Sequence, residues 1–135
     1  IVGFPNESEK DFEDTLELVN YCEYDGAYTF IYSKREGTIA AKMEDNVSLE
    51  VKEERLQRLN ELVNKYSKES NMKYLNKVVP VLILGQSDKD KTKVYGYTDT
   101  NKLVNVDANL DTIGSIINVL ITDAKSFSLD GHVVD

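Results

Sequence analysis

The chain has 135 residues, 41% of them hydrophobic and 30% charged, with a formal net charge of −8 at pH 7. This composition fits one soluble domain or two small ones, and no apolar run approaches the ~20 residues that cross a bilayer. One cysteine, Cys22, and one histidine, His132, exclude an internal disulfide, a cysteine-built metal site and a histidine-based triad. The start at Ile1, without Met or a signal peptide, favours a processed or cut chain, and we expect a cytoplasmic location.

The charge is unevenly distributed along the chain. Residues 1–72 contain nine Lys or Arg and sixteen Asp or Glu, whereas residues 73–135 contain seven Lys, eight Asp and neither Arg nor Glu. This change of composition predicts a domain boundary near residue 72. The low overall pI argues against coating by nucleic acid but leaves room for a local basic surface on the second half.

The first thirty residues have the pattern of a βαβ unit. Ile1–Phe4 is an apolar run that predicts a strand, and residues 27–32 (AYTFIY) have the composition of a second one. Between them, Ser8 followed by Asp11 predicts a capped helix start. A stripe at helical spacing follows: Phe12, Leu16 and Val19. Because a helix separates the two strands, we expect them to be parallel.

A loop over 33–46 and a second helix after Ser48 complete the first half. The helix has an apolar stripe, and its charged residues, Lys52 among them, are expected to be a solvated surface. Cys22, at the end of the first helix, is interpreted as a small core residue. The stripe consists of Leu56, Leu59, Leu62, Val63 and Tyr66.

The second half predicts a small all-β barrel. Five short runs have strand composition, Pro80 marks an edge or a bulge, and four glycines lie near predicted strand ends or bends. Five short strands in about sixty residues are typical of a closed, OB-like barrel. The predicted strands are Val78–Leu84, Lys93–Thr100, Leu103–Val106, Ser115–Ile121 and Ala124–Leu129.

The first half is expected to be a fragment of a larger α/β fold. Parallel strands need cover on both faces, and a complete (β/α)₈ barrel takes roughly 250 residues. Ligands in such folds bind at the carboxyl ends of strands, which here are residues 3–7 and 32–38. Both segments are also ordinary turn material, so periodicity alone leaves their function open.

Three segments resemble the radical S-adenosylmethionine (SAM) methylthiotransferase family. They are IVGFPNESEKDFEDTLELV at 1–19, TFIYSKREGTIAAKMEDNVSLEVKEERLQRLNEL at 29–62 and TNKLVNV at 100–106. The resemblance implies an α/β fragment, the last βα units of a radical-SAM TIM-like barrel, over residues 1–72. It implies a TRAM domain, a five-stranded RNA-binding barrel, over residues 73–135.

Within the family, the run Arg35–Thr38 and the TNKLV segment resemble the MiaB-type branch. That branch adds a methylthio group to C2 of N6-isopentenyladenosine beside the tRNA anticodon. The alternatives are sibling branches that modify a ribosomal-protein aspartate or threonylcarbamoyl adenosine, and a non-enzymatic RNA-binding module. The expected partner is the anticodon stem-loop of tRNA.

The resemblance also implies SAM and two [4Fe–4S] clusters in the full-length enzyme, held by cysteines that this chain lacks. We expect the 135 residues alone to be inactive and to bind no metal or cofactor. The full-length enzyme is expected to be a monomer. The exposed strand edges of the fragment favour dimerisation or domain swapping.

Site residues follow from the resemblance. Ile1, Gly3 and Glu7 would form the SAM pocket wall, and Ser33, Arg35 and Glu36 would face the barrel mouth. An RNA face is expected on the barrel, although a tyrosine row in the core and ordinary hairpin charges explain the same pattern. Asn6 stands where the family usually has Gly, and Tyr97 and Asp99 where basic residues are common. The RNA face comprises Lys89, Lys91, Lys93, Tyr95, Tyr97, Asn101 and Lys102.

Overall fold

The computed structural model describes all residues, 1–135, and these form two compact units, Ile1–Tyr66 and Ser67–Asp135. We call them the N-terminal unit and the barrel unit. The division falls within a helix, whereas composition indicated residue 72; the assignment of 1–72 and 73–135 to parts of a larger enzyme stays a prediction. No helix has the length and apolar character that a membrane span requires.

Helix α1, Glu9–Cys22, begins as predicted. Ser8 Oγ accepts a hydrogen bond from Asp11 N–H at 3.0 Å, and Asp11 Oδ2 accepts one from Ser8 N–H at 2.9 Å, which is a complete capping box. The backbone hydrogen bond from Ser8 lowers the pKa of Asp11. The helix ends at Glu23, which adopts the left-handed conformation and donates its N–H to Val19 O at 2.9 Å.

Helix α2, Leu49–Met72, follows a short 3₁₀ turn, η1, at Ala40–Lys42. Its start is as predicted, because Ser48 Oγ accepts from Val51 N–H at 3.3 Å. The predicted stripe packs on α1, with its first and third members only partly buried. The core of the N-terminal unit consists of Val2, Phe12, Val19, Leu59, Val63 and Tyr66.

The two predicted strands of the N-terminal unit are reduced to one parallel bridge between Val2 and Ile31. Val2 N–H donates to Phe30 O at 2.9 Å, and Tyr32 N–H donates to Val2 O at 2.8 Å. The parallel direction is confirmed. The pairing is shorter than predicted because two strands without further neighbours form a marginal sheet.

The barrel unit is a closed five-stranded barrel with the order β1-β2-β3-β5-β4. All neighbouring strands are antiparallel except β3 and β5, which are parallel. A 3₁₀ turn, η2, at Leu110–Thr112 lies between β3 and β4. The OB-like closed barrel is confirmed. Its strands are β1 Val78–Gln86, β2 Val94–Thr98, β3 Leu103–Asp107, β4 Ile116–Ala124 and β5 Leu129–Val133.

The barrel interior is aliphatic and is filled by alternate residues of every strand. Inward-facing valines, isoleucines and one leucine are fully buried, while their neighbours along each strand face outward. This period of two determines which residues reach a ligand on the outside. The core consists of Val81, Ile83, Val94, Val104, Val106, Val119, Ile121, Ala124 and Leu129.

The last turn of α2 belongs to the barrel unit and binds the connection between β4 and β5. Ser67 Oγ donates to Ser126 O at 2.5 Å. Asn71, 3% exposed, donates through Nδ2 to Lys125 O at 2.7 Å and to Ser126 O at 3.3 Å. These bonds satisfy carbonyls that no strand neighbour pairs.

Two predictions about local structure are wrong. The fifth strand is Leu129–Val133 rather than residues 124–129, because most of the predicted segment forms the turn after β4. Cys22 is exposed, because each residue turns a helix by about 100° and position 22 lies well off the buried stripe of α1.

Pro80 lies at an edge position of β1. It pairs with Asn118 of β4, whereas the pairing of β1 with β2 begins only at Val81. The register shift of β1 lies further on, between Ile83 and Gly85. Of the two predicted alternatives for Pro80, an edge or a bulge, the structure therefore shows the edge.

Candidate nucleic-acid interface

The outer face of β2 holds the two predicted tyrosines. Val94, Gly96 and Thr98 face the barrel interior, whereas Tyr95 is half-buried and Tyr97 is 36% exposed on the outside. Of the two explanations left open by the sequence, the structure excludes a tyrosine row in the barrel core. The Tyr97 ring lies on a surface where a planar ligand can reach it, whereas the Tyr95 ring lies against Gly85.

Two glycines allow the small barrel to close. A Cβ on Gly96 would lie 2.0 Å from Leu82 O, and one on Gly131 would lie 2.4 Å from Leu120 O. Contacts this short with backbone atoms leave room only for hydrogen. Both glycines therefore lie within strands, at positions where close approach of the backbones is needed.

The β1–β2 hairpin presents three predicted lysines. Lys89 and Lys91 are exposed and Lys93 is half-buried. The turn between them is held by Asp90, whose Oδ1 accepts from Thr92 N–H at 3.0 Å and from Thr92 Oγ1 at 2.6 Å. These bonds, the hydroxyl one first, lower the pKa of Asp90. The structure thus places two exposed lysines beside the tyrosine strand, one of which, Lys91, has its Nζ 3.9 Å from Asp88 Oδ1.

Lys102 corrects the predicted RNA face. It is 8% exposed, and its Nζ donates to Ser70 Oγ at 3.2 Å, so the side chain lies inside the barrel unit rather than on an open surface. Asn101 is exposed in the preceding turn with a φ of 62°, and its N–H donates to Thr98 O at 3.0 Å. The left-handed backbone, which asparagine tolerates, gives Asn101 a conformational role.

Of the predicted SAM wall, Gly3 and Glu7 have partners inside the N-terminal unit. Gly3 has a φ of 76°, donates its N–H to Glu7 Oε1 at 3.0 Å, and would place a Cβ 2.4 Å from Lys52 Cγ. Glu7 Oε1 also accepts from Arg55 Nη1 at 2.8 Å. Glycine is therefore required at position 3 by its own backbone and by the Lys52 side chain. Ile1 is 73% exposed.

Asn6 keeps the loop after Pro5 in a conformation that glycine also favours. Its φ is 71°, in the left-handed region where asparagine is tolerated, and its N–H donates to Asn46 Oδ1 at 2.9 Å. The asparagine therefore preserves the backbone path at this position.

The loop at the predicted barrel mouth forms an open depression of about 540 Å³. Ser33, Arg35 and Glu36 are exposed, but only Glu36 lines the depression. Thr38 Oγ1 donates to Arg35 O at 2.7 Å and accepts from Ala41 N–H at 3.2 Å, which fixes the turn. The lining residues are Lys34, Glu36, Gly37, Thr38, Ala41 and Lys42.

Two buried cations of α2 were missed. Lys52, expected on a solvated surface, is 7% exposed and donates to Asp45 Oδ2, whose pKa it lowers. Arg55 is 5% exposed and pairs with Glu7, and its guanidinium carbon lies 5.8 Å from the Phe12 ring centroid. Lys52 lies four residues before Leu56, and Arg55 four residues before Leu59, so both continue the apolar stripe of α2 by one turn towards its start. This spacing is the signal in the sequence that indicates their burial.

Metal ligands are scarce. No group of three or more His, Cys, Asp or Glu side chains is arranged to hold a metal ion, and Cys22 is a free, exposed thiol. Iron–sulfur clusters are held by cysteine thiolates. The residues present therefore do not fit an iron–sulfur cluster.

Comparisons with known proteins show similarity in both units. Residues 72–134 match the family model of the TRAM domain. Over its whole length the chain is 55% identical to the tRNA-2-methylthio-N(6)-dimethylallyladenosine synthase of Bacillus cytotoxicus, of which it covers 26%. The same enzyme of Halalkalibacterium halodurans is also 55% identical, with 25% covered, and that of Bacillus mycoides is 53% identical over 134 residues, with 26% covered.

The predicted resemblance is confirmed: residues 72–134 match the TRAM domain, and the whole chain is similar to a segment of these synthases. It spans about a quarter of the length of these relatives.

Proposed function

We propose that this chain is part of a cytoplasmic tRNA methylthiotransferase that adds a methylthio group to C2 of N6-isopentenyladenosine beside the anticodon. The observation that supports this most strongly is the 55% identity over all 135 residues to synthases named for that product. Residues 1–72 would be the end of a radical-SAM α/β barrel, and residues 73–135 the TRAM module that binds tRNA.

The parallel bridge between Val2 and Ile31, with α1 between its strands, supports the first part of the proposal. A βαβ connection of this kind is the repeating unit of α/β barrels. In this proposal the carboxyl ends of the two strands, with Ile1 and the loop at 33–38, face the SAM and substrate pocket. The loop after the first strand, residues 3–7, is positioned by the ion pair of Glu7 with Arg55, whose side chains are both about nine-tenths buried.

SAM and two [4Fe–4S] clusters would supply the radical and the sulfur. Since the chain's only cysteine is exposed and isolated, we propose that the cluster ligands lie outside these 135 residues. The N-terminal unit then contributes a wall to the pocket, and the barrel unit contributes affinity for tRNA.

The RNA surface is proposed on the outer face of β2 and on the hairpin that precedes it. Replacing Lys89 and Lys91 by alanine should weaken binding of an anticodon stem-loop RNA to the 135-residue chain. It should also lower the slope of log affinity against log salt by about one unit per lost phosphate contact. The control is Lys77→Ala, which removes an exposed lysine directly before the start of β1, away from the hairpin. It should leave the affinity and the salt slope unchanged.

Nucleoside analysis of cellular tRNA tests the chemistry. Disruption of the full-length gene should replace the methylthio-isopentenyl nucleoside by isopentenyladenosine, and restoring the gene should reverse this. An unchanged nucleoside profile would overturn the proposal. Loss of the methylthio group from threonylcarbamoyl adenosine, or from a ribosomal-protein aspartate, would assign the chain to a sibling branch instead.

A further inference from the structure

An apolar row crosses four strands on the outside of the barrel. Leu82 of β1 pairs with Ile116 of β4 on one side and with Tyr97 of β2 on the other, and Tyr97 pairs with Leu103 of β3. Ile116 is 70% exposed, Leu82 42% and Tyr97 36%. We call these four residues the apolar row. With strands about 4.8 Å apart, it is about 14 Å long.

The outer neighbours of the row differ between strands: on β1 the next outward residue, Leu84, is also apolar and 49% exposed, whereas the neighbours on β3 and β5 are polar. On the hairpin side, Tyr95 pairs with Asn105, and Asn105 pairs with Asp130. Asn105 Nδ2 lies 3.4 Å from Asp130 Oδ1, and Lys125 Nζ pairs with Asp130 Oδ2 at 2.8 Å. These polar groups are thus partnered within the barrel, whereas the apolar row has no cover.

We infer that the apolar row is a platform for unpaired nucleobases, an inference that rests on the proposed tRNA-binding function. Bases stack on an exposed aromatic ring and pack against aliphatic side chains, and this recognition tolerates any base because each has a π-face. Tyr97 lies near the centre of the row, with Leu82 and Leu103 on either side.

Charge supports RNA as the occupant. The hairpin lysines lie in the connection between β1 and β2, the two central strands of the row. Lys93 is four residues from Tyr97, which is about 13 Å along an extended strand. A single strand lying from the row to the hairpin would place its bases on the apolar side chains and its phosphates on the lysines. The base contacts on the apolar row should thus contribute affinity that does not depend on salt, and the phosphate contacts on the lysines affinity that falls as salt rises.

The size of the row argues against a protein partner. A stable protein interface buries about 800 Å² on each side and involves 20–30 residues. Even with Leu84 added to the row, five partly exposed side chains fall far short of this, but they suffice for one or two bases. A second copy of the chain is therefore not the expected occupant.

The experiment compares row and hairpin variants of the 135-residue chain. Leu82→Thr combined with Ile116→Thr, and separately Tyr97→Thr, should each weaken binding of the anticodon stem-loop by about tenfold, the order of one lost base contact. The salt slope should stay unchanged, and binding of a fully paired duplex should be unaffected. Threonine preserves strand propensity. Phe127→Thr, at a 75% exposed position in the β4–β5 turn, is the control and should have no effect.

The outcomes separate this inference from the proposed function. If wild type binds the stem-loop and the row variants bind equally well, the inference is wrong while tRNA binding stands. If wild type binds no stem-loop, RNA binding by the barrel unit fails, and the inference with it; nucleoside analysis still tests the chemistry. Concentration-dependent dimerisation that the row variants abolish, without a change in RNA affinity, would overturn the inference in favour of a second copy.

Discussion

Gly96→Ala tests how tightly the barrel closes. The new methyl group would lie 2.0 Å from Leu82 O, 2.7 Å from Leu82 C and 3.0 Å from Ile83 Cα, all backbone atoms. An ordinary C···O contact is about 3.3 Å, so β1 and β2 would have to separate by roughly 1 Å. That separation stretches ladder hydrogen bonds beyond their useful range, and a closed ring cannot relieve it at an edge.

The expected loss of stability follows from two opposing effects. Overpacking and lost ladder bonds destabilise the fold by about 3–5 kcal/mol. Alanine recovers about 0.4–1 kcal/mol by restricting the unfolded chain. The net loss is therefore about 2–4 kcal/mol, which lowers the Tm of a unit of this size by about 10–30 °C.

The assay must report on the barrel unit alone, because the chain has two units and no tryptophan. Amide hydrogen exchange, read on peptides from β1 to β3, fulfils this requirement. Gly26→Ala, in the N-terminal unit, is the control for an added methyl group: no atom lies within 4 Å of it, so the protection of the barrel peptides should be unchanged. Wild-type protection of the barrel peptides in Gly96→Ala would refute the reasoning.

Three further predictions concern buried or capped side chains. Arg55→Ala should destabilise the N-terminal unit by about 3–5 kcal/mol in chemical denaturation, because it leaves the Glu7 carboxylate buried and unpaired; a smaller loss in the double variant with Glu7→Gln would support the pairing, and an equal loss would contradict it. Asn71→Ala should destabilise the barrel unit by about 1–3 kcal/mol, since the Lys125 carbonyl loses its donor and the Ser126 carbonyl keeps only that of Ser67. Lys68→Ala, on the exposed side of the same turn, should not, and equal effects would disprove the assignment. The capping hydrogen bonds lower the pKa of Asp11 in the folded state, so its contribution to stability is present at neutral pH and is lost as the pH falls through that lowered pKa. The stability difference between wild type and Asp11→Ala should shrink as the solution becomes acidic, and a constant difference would contradict the sign.

Local signals in the sequence predicted much of the fold. Ser8 and Asp11 define a capping box within four residues, and this short-range chemistry appears in the structure as expected. The first four barrel strands were found near their observed positions for the same reason. The fifth was misplaced because Leu129–Val133 is selected by parallel pairing with β3, a partner more than twenty residues away that no local pattern indicates.

The site was predicted less well, because charge gives no indication of burial. Lysines usually lie on the surface, yet the side chains of Lys52 and Lys102 are both buried. Lys52 pairs with Asp45, and Lys102 donates to Ser70, which is distant in sequence. The outward direction of Tyr97 follows from strand period alone and was predictable. The apolar row was not, because it exists only once the registers of β1, β2, β3 and β4 are known.

The position of β5 determines when the barrel can form during synthesis. β5 lies between β3 and β4, and it is the last of the five barrel strands in chain order. Until Leu129–Val133 are synthesised, β3 and β4 each lack one of their two partners and the ring stays open. A stop codon shortly before residue 129 would therefore leave four strands intact and yet prevent the whole module from closing, whereas changes in the exposed hairpin turn leave its closure intact.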